Sequence, residues 1–189
     1  MILENDNCII EIKEDETYTV DSADNRHYDI IHNPSEYKHN DYSKTLAIYV
    51  NLFSREYSIA LVGSFYSYEF DCAILEDDTI IVLQNDTITV INIFDGSIEK
   101  HTQLECFGIN YGIYRVKDGY IIFGEMEITM LDFDFVKKWS FSGRDIFVSI
   151  SGKNTFELKE NSICLYDFQD NYYEIDYNGK LIKCIWNYT

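Results

Sequence analysis

Residues 77–104 read DDTIIVLQNDTITVINIFDGSIEKHTQL, and this stretch decides the fold. A polar turn at Asp77-Asp78 precedes a continuous apolar run, a second run alternates, and a third run follows Asp95-Gly96. Short apolar runs bounded by turn signals are typical of β-strands, and an Asp-Gly pair accepts the positive φ of a tight hairpin. The stretch therefore predicts consecutive antiparallel strands.

A similar pattern recurs twice further along the chain. The apolar strand at 80–83 aligns with 121–123 and with 163–165, at offsets of 41 and then 42 residues. The hairpin turn recurs at Asn178-Gly179, whereas the middle unit has no such pair between Phe133 and Lys138 and is about two residues shorter. Self-similarity at this period is the mark of propeller blades, in which each repeat is one four-stranded sheet.

The sequence thus predicts an all-β, β-propeller-like protein with about three recognisable four-stranded blades and a divergent N-terminal β region. Residues 71–189 form the repeats, with blades at about 72–112, 113–153 and 154–189. Residues 1–70 supply a possible fourth blade or an edge cover, because three blades are too few to close a ring. The strands expected in this region are at about 7–13, 16–21, 27–32, 45–53 and 56–63, with a loop at 34–44.

The unit NDTITVINIFDGSIEK, residues 85–100, resembles the strand–turn–strand core of WD-type and quinoprotein-type propeller repeats. The resemblance covers roughly residues 72–187 and implies an architecture, since propellers serve as scaffolds, binders and enzymes alike. The Gly-His and Trp-Asp dipeptides of WD repeats are missing, and no quinone-binding or metal pattern is carried over.

Charge narrows the classes of partner. Thirty-three acidic residues face fifteen basic ones, for a formal net charge of -18. Nucleic acids and anionic membranes would be repelled, whereas a basic protein would be attracted; alternatively, the acidity only maintains solubility. The five cysteines show no CxxC spacing and the N-terminus lacks a signal-like segment, so we expect free thiols and a cytoplasmic protein.

Motifs for catalysis or metal binding are weak. His27, His32, His39 and His101 lack the spacing of a zinc site, LDFDFVKK lacks the glycine of a calcium loop, and no G-x-S-x-G elbow occurs. A cysteine–histidine couple that meets only in space stays open. We therefore expect no enzyme activity, no cofactor and no metal.

The acidic residues cluster at the expected turns, with tyrosines beside them on the longest loop. Tyrosine supplies rigid contact area and carboxylates supply pairing charge, so these turns are the predicted partner-binding surface. The alternative is a solvated rim of polar turns. The candidate residues are Glu36, Tyr37, Asp41, Tyr42, Glu76, Asp77, Asp78, Asp86 and Asp95.

In size and composition the chain is similar to the immunity proteins of bacterial contact-dependent growth inhibition (toxin–antitoxin) systems. That similarity implies a module that neutralises a cognate basic toxin domain, a nuclease, by occluding its active site. Two alternatives remain: a generic propeller scaffold for another protein partner, and an enzyme with a central pocket. The oligomeric state is open, including the sharing of blades between two copies.

Overall fold

A computed structural model describes residues 1–39, 41–65, 71–149 and 152–187. Over these ranges the chain forms seventeen β-strands and no helix, which confirms the all-β prediction. The described residues accordingly contain no apolar helix of the length needed to cross a lipid bilayer.

The N-terminal strands form one five-stranded sheet with the order β1-β2-β4-β5-β3, in which β3 runs parallel to β5 and the other pairs are antiparallel. The strand predicted at 16–21 is wrong, because the Asp15 carboxylate accepts the Thr17 N–H (3.0 Å) and this competes with strand pairing. In the expected loop at 34–44, the described residues 34–39 and 41–43 form no strand. The strands are β1 Ile2–Glu4, β2 Ile9–Glu14, β3 Ile30–His32, β4 Lys44–Asn51 and β5 Glu56–Gly63.

Three four-stranded antiparallel sheets follow, each with its strands in sequence order, as the blade prediction requires. The first contains β6 Ala73–Glu76, β7 Thr79–Gln84, β8 Thr87–Asn92 and β9 Ile98–Gln103. The second contains β10 Asn110–Val116, β11 Gly119–Gly124, β12 Ile128–Leu131 and β13 Lys137–Phe141. The third contains β14 Phe156–Leu158, β15 Ile163–Tyr166, β16 Tyr172–Ile175 and β17 Leu181–Ile185. The fold is therefore all-β and propeller-like.

The strand ladders correct the predicted alignment of the repeats. In each blade, one residue of the second strand pairs with the last residue before the hairpin that joins the third and fourth strands. These equivalent residues are Ile80, Tyr120 and Ile163, so the offsets between blades are 40 and 43 residues. The alignment through Ile121 is therefore one residue out of register. A shift of one residue exchanges the two faces of a strand, so Ile121 lies on the opposite face from Ile80.

One hairpin recurs in all three blades. Its first residue uses a side-chain oxygen to accept the backbone N–H two residues later, at 2.9 Å in each case. The middle hairpin was expected to be the shortest, but Asp132–Val136 spans the same length as the last hairpin because Phe135, with φ 65°, takes the left-handed position of Gly179. The three first residues are Asn92, Asp132 and Asp176.

A turn with the same asparagine cap occurs in the N-terminal sheet, 41 residues before Asn92, although its left-handed residue is Phe53 whereas that of the later turn is Gly96. Asn51 accepts the Phe53 N–H (2.9 Å) and donates to Glu56 (2.8 Å). Asn92 accepts the Phe94 N–H (2.9 Å) and donates to Glu99 (2.8 Å). The repeat therefore extends into the β4–β5 hairpin of the divergent region.

Two compact units divide the chain, Met1–Gln103 (unit 1) and Leu104–Thr189 (unit 2). In unit 1 the first sheet packs on the second through buried aliphatic residues such as Ile48, Ile59 and Ile80. In unit 2 the last two sheets pack through a core rich in aromatic residues, including Phe123 and Tyr173. The boundary predicted between residues 70 and 71 separates the divergent region from the sequence repeats, so it is a different division from these two packing units. It stays a prediction.

Candidate protein-binding surface

The negative charge is concentrated in unit 1. Its 103 residues include 20 acidic and 6 basic ones, a difference of 14, whereas unit 2 has 13 and 9, a difference of 4. All nine predicted partner-binding residues lie in unit 1. Unit 1 therefore carries most of the net negative charge of the chain.

Strand direction separates the predicted residues into two groups. β7 begins at the turn Asp77-Asp78 and ends at the turn Asn85-Asp86, so these turns lie at opposite ends of a six-residue strand, about 20 Å apart. Asp95 lies at the first end, because Asn92 pairs with Thr79. Glu76, Asp77, Asp78 and Asp95 thus share one end, and Asp86 lies at the other.

Hydrogen bonds between turns hold the first end together. The Asn5 side chain donates to the Asp77 carbonyl (3.0 Å), which ties the β1–β2 turn to the β6–β7 turn. The Ile93 N–H donates to the Asp78 carbonyl (2.9 Å), which ties in the β8–β9 hairpin. Asp6, Asp77 and Asp78 are consequently presented by neighbouring turns.

The β4–β5 hairpin completes this end. The Arg55 guanidinium donates to the Phe94 carbonyl, and the Tyr57 hydroxyl donates to the Ile93 carbonyl (2.5 Å). The two Asn-capped hairpins, which carry Phe53 and Phe94, are therefore joined.

Both phenylalanines point into solvent. Phe53 is 68% exposed and Phe94 is 48% exposed. We call Asp6, Phe53, Asp77, Asp78, Phe94 and Asp95 the turn surface. Sequence reasoning missed Asp6 and the two phenylalanines, although the repeated Asn-x-Phe spacing at 51–53 and 92–94 was a visible signal.

The aspartates of the turn surface remain available to a partner. Asp6, Asp77 and Asp78 form no ion pair with the described part of the chain. Hydrogen bonds from the Ser97 hydroxyl and N–H, together with Arg55, lower the pKa of Asp95 and keep it ionised at neutral pH. The surface therefore combines exposed carboxylates with exposed aromatic rings.

The remaining predicted binding residues belong to the end of unit 1 opposite the turn surface. Burial raises the pKa of Tyr37, and the negative charges of Asp86 and Asp41 raise it further. The Gln103 amide donates to Asp86 (2.9 Å). Glu36 and Tyr42 lie on the same loop and are exposed, Tyr42 to 81%. This second cluster is acidic, but its tyrosine at position 37 is half-buried.

A groove of about 500 Å³ on the outer face of the first sheet brings together Ser58, Asp29 and His27. The Ser58 hydroxyl donates to the Asp29 carboxylate (2.8 Å), and this bond lowers the pKa of Asp29. A serine nucleophile is activated when its hydroxyl donates a hydrogen bond to a base such as histidine. The Ser58 hydroxyl donates to Asp29 instead, so this arrangement does not activate Ser58. Among the described residues no group of three or more His, Cys, Asp or Glu could hold a metal ion.

Comparisons with known proteins add the following. The chain matches no protein-family model, and it matches no curated protein. Among solved structures it is similar to BamB from Moraxella catarrhalis, with a TM-score of 0.47, 11% identity and coverage of 75% of this chain and 45% of that one. It is also similar to the AfRom2 CNH domain, with a TM-score of 0.47, 13% identity and coverage of 76% and 47%. The chain therefore spans about half the length of these two structures.

Proposed function

We propose that the chain is an acidic protein-binding module whose turn surface docks onto a basic partner protein and that it catalyses no reaction. The observation that carries this proposal is the pair of exposed phenylalanines, Phe53 and Phe94, each held two residues after a capping asparagine and lying among exposed aspartates.

The chemistry of the turn surface suits lysine-rich or arginine-rich proteins. A cation above the face of a phenylalanine ring gains about 0.5–2 kcal/mol, and a guanidinium can form two parallel hydrogen bonds to a carboxylate. Aromatic residues are also enriched at the centre of protein interfaces. A basic partner would satisfy both groups at once, and the charge of unit 1 would accelerate its approach.

The finer form of the proposal concerns the identity of the partner. A toxin nuclease must bind phosphates, so its active site carries cationic groups that the carboxylates of the turn surface could occupy. We propose an immunity role of this kind, exerted in the cytoplasm. The exposed ring of Phe53 also fits a scaffold that binds an unrelated partner through apolar contact. Salt separates the two possibilities, because ion pairs are screened and apolar contacts are not.

The test uses the basic domain encoded by the adjacent upstream gene, mixed with this protein and followed by calorimetry. We expect a one-to-one complex whose affinity falls at least about 10-fold between low and high salt, and loss of toxin activity at one equivalent. An adjacent gene that encodes no toxin, or toxin activity that persists in the complex, contradicts the immunity role. Binding that is unchanged by salt contradicts the charge-based surface and favours the scaffold.

A matched pair of variants locates the contact. The variant Asp77→Asn/Asp78→Asn/Asp95→Asn removes three charges from the turn surface, and asparagine tolerates the positive φ of Asp77. With about 1 kcal/mol or more per pair, we expect about 100-fold weaker binding.

The control variant, Glu36→Gln/Asp41→Asn/Asp86→Asn, removes three charges from the opposite end of unit 1. We expect it to weaken binding less than about 5-fold, through the change in net charge alone. Equal losses in the two variants would show that only the net charge matters, and would overturn the turn surface as the contact.

A further inference from the structure

The three blades have equivalent outermost strands, β9, β13 and β17, and only β17 exposes large apolar side chains. Leu181, Ile182 and Ile185 are 45%, 56% and 52% exposed. No large apolar residue of β9 or β13 is exposed to this degree, and their exposed positions carry polar or charged residues such as Glu99 and Lys138. The last blade is therefore the one whose outermost strand exposes apolar side chains.

An open edge offers a row of backbone N–H and C=O groups to any extended chain, and proteins normally guard it with charge, proline or a covering segment. Within the described residues β17 is the end of its sheet and pairs only with β16. The exposed aliphatic residues add an apolar contact to these hydrogen-bonding groups. Strand addition by a partner uses this combination.

Lys183, at the centre of β17, decides which strand can be added. Antiparallel pairing of β17 with a second copy in full overlap would place Lys183 opposite Lys183, and like charges directly opposite each other are destabilising. Residues 177–187 contain Lys180 and Lys183 and no acidic residue. A carboxylate opposite Lys183 would be attracted, so the charge of the edge favours an acidic partner strand over a second copy.

The neighbouring carboxylate of Glu174 attracts Lys183, which is one of the charges that lower the pKa of Glu174, but the two groups form no direct ion pair. Glu174 faces Lys183 across the ladder, but it accepts hydrogen bonds from Ser162 (2.9 Å) and Tyr172 (3.1 Å). Lys183 forms no ion pair within 4.0 Å among the described residues. Its ammonium group lies 5.9 Å from the centre of the Tyr172 ring and has no direct ion pair, so a carboxylate on an added strand could still reach it.

A groove of about 400 Å³ runs beside β17. Its lining includes Tyr166, Tyr172, Lys183 and Ile185, with Lys159, Glu157 and Asp170 further from the centre of the strand in sequence. The rings of Tyr166 and Tyr172 lie 5.1 Å apart. We propose that β17 binds, by strand addition, an extended protein segment that alternates apolar residues with a carboxylate opposite Lys183. Its side chains on the groove side would contact the two tyrosines.

The test uses two short fluorescein-labelled peptides of alternating valine and threonine, one with a central glutamate and one with a central lysine. Fluorescence anisotropy should show the glutamate peptide binding about 10-fold more tightly, from the exchange of a repulsive for an attractive cross-strand pair. The variant Lys183→Glu should invert this preference. Lys138→Glu, the matched change on β13, should leave it unchanged.

Two further results would overturn the proposal. One is equal binding of both peptides, or binding of neither. The other is a dimer in sedimentation velocity that Leu181→Thr/Ile185→Thr dissociates, since that result assigns the edge to a second copy. Neither substitution touches unit 1, so binding of a basic partner at the turn surface is measured separately and is expected to be unchanged.

Discussion

The buried carboxylate of Asp167 is expected to contribute strongly to the stability of unit 2. Asp167 is 0% exposed and accepts hydrogen bonds from Tyr173 Oη (2.7 Å), Asn171 Nδ2 (2.9 Å) and the backbone N–H of Gln169 (3.0 Å) and Asn171 (3.0 Å). The Tyr173 hydroxyl in turn accepts the Arg144 N–H, and the ring packs in the core against Trp186. Asp167→Ala should therefore disturb both a loop and the core.

The magnitude follows from the donors that would lose their acceptor. The Tyr173 and Asn171 side chains are 3% and 2% exposed, so water cannot readily replace the carboxylate. A buried donor left unsatisfied costs about 1–3 kcal/mol, so two of them cost about 4 kcal/mol. With a urea m-value of about 2 kcal/mol/M, the unfolding midpoint should fall by about 2 M.

Tryptophan fluorescence during urea unfolding measures this loss directly. The two tryptophans, Trp139 and Trp186, both belong to unit 2, so the signal reports on that unit. Glu157→Ala, which removes an exposed carboxylate 4.0 Å from Lys159, is the control and should change stability by less than about 0.5 kcal/mol.

Coupling to Tyr173 is the sharper criterion. Because Asp167 and Tyr173 share a hydrogen bond, the losses from Asp167→Ala and Tyr173→Phe should be non-additive by about 1 kcal/mol or more. A loss below about 1 kcal/mol for Asp167→Ala, or strict additivity in the double variant, would refute this reasoning.

Three further outcomes are expected. Burial raises the pKa of Glu127, but hydrogen bonds from the Phe107 N–H and from Lys137 outweigh burial and lower the pKa below 4.5. The stabilisation by the ionised carboxylate is full above that value and is lost as the pH falls through the lowered pKa. Glu127→Gln should therefore flatten the acid limb of the pH–stability curve. Gly119→Ala should lower the free energy of unfolding in urea by at least about 3 kcal/mol, because φ is +145° and a Cβ would meet the Leu131 carbonyl at 1.9 Å. A loss as small as that of an ordinary surface substitution would contradict this expectation. Asp176→Ala should lower the urea midpoint of unfolding and Asp176→Asn should lower it less, because asparagine keeps an acceptor for the N–H groups of residues 178 and 180.

Local patterns predicted the repeated sheets because each blade strand is bounded by strong turn signals. The middle hairpin and the exact register could not be obtained in this way. Phe135 occupies a left-handed position where glycine was expected, and the offset through Ile121 was wrong by one residue because apolar residues line both faces of β11. Where both faces of a strand are buried, the sequence does not alternate, and periodicity alone does not fix the register.

The binding surface was predicted in part, since acidic turns are visible in a sequence but their spatial grouping is not. Antiparallel pairing placed Asp77 and Asp95 at one end of unit 1 and Asp86 at the other. Phe53 and Phe94 were missed because exposed phenylalanines within apolar runs read as core residues. The Asn-x-Phe repeat becomes informative only once each asparagine is seen to accept the N–H of the phenylalanine that follows it in a hairpin.

The most direct measurement of the turn surface as a binding site is an NMR titration of the isotope-labelled protein with the basic domain that the adjacent upstream gene is proposed to encode. We expect the amide signals of Phe53, Asp77 and Phe94 to shift together, in proportion to complex formation, while those of Tyr37 and Asp86 stay in place. Shifts confined to the residue 33–43 loop and Asp86, or spread evenly over unit 1, would contradict the assignment of the binding site to the joined hairpins.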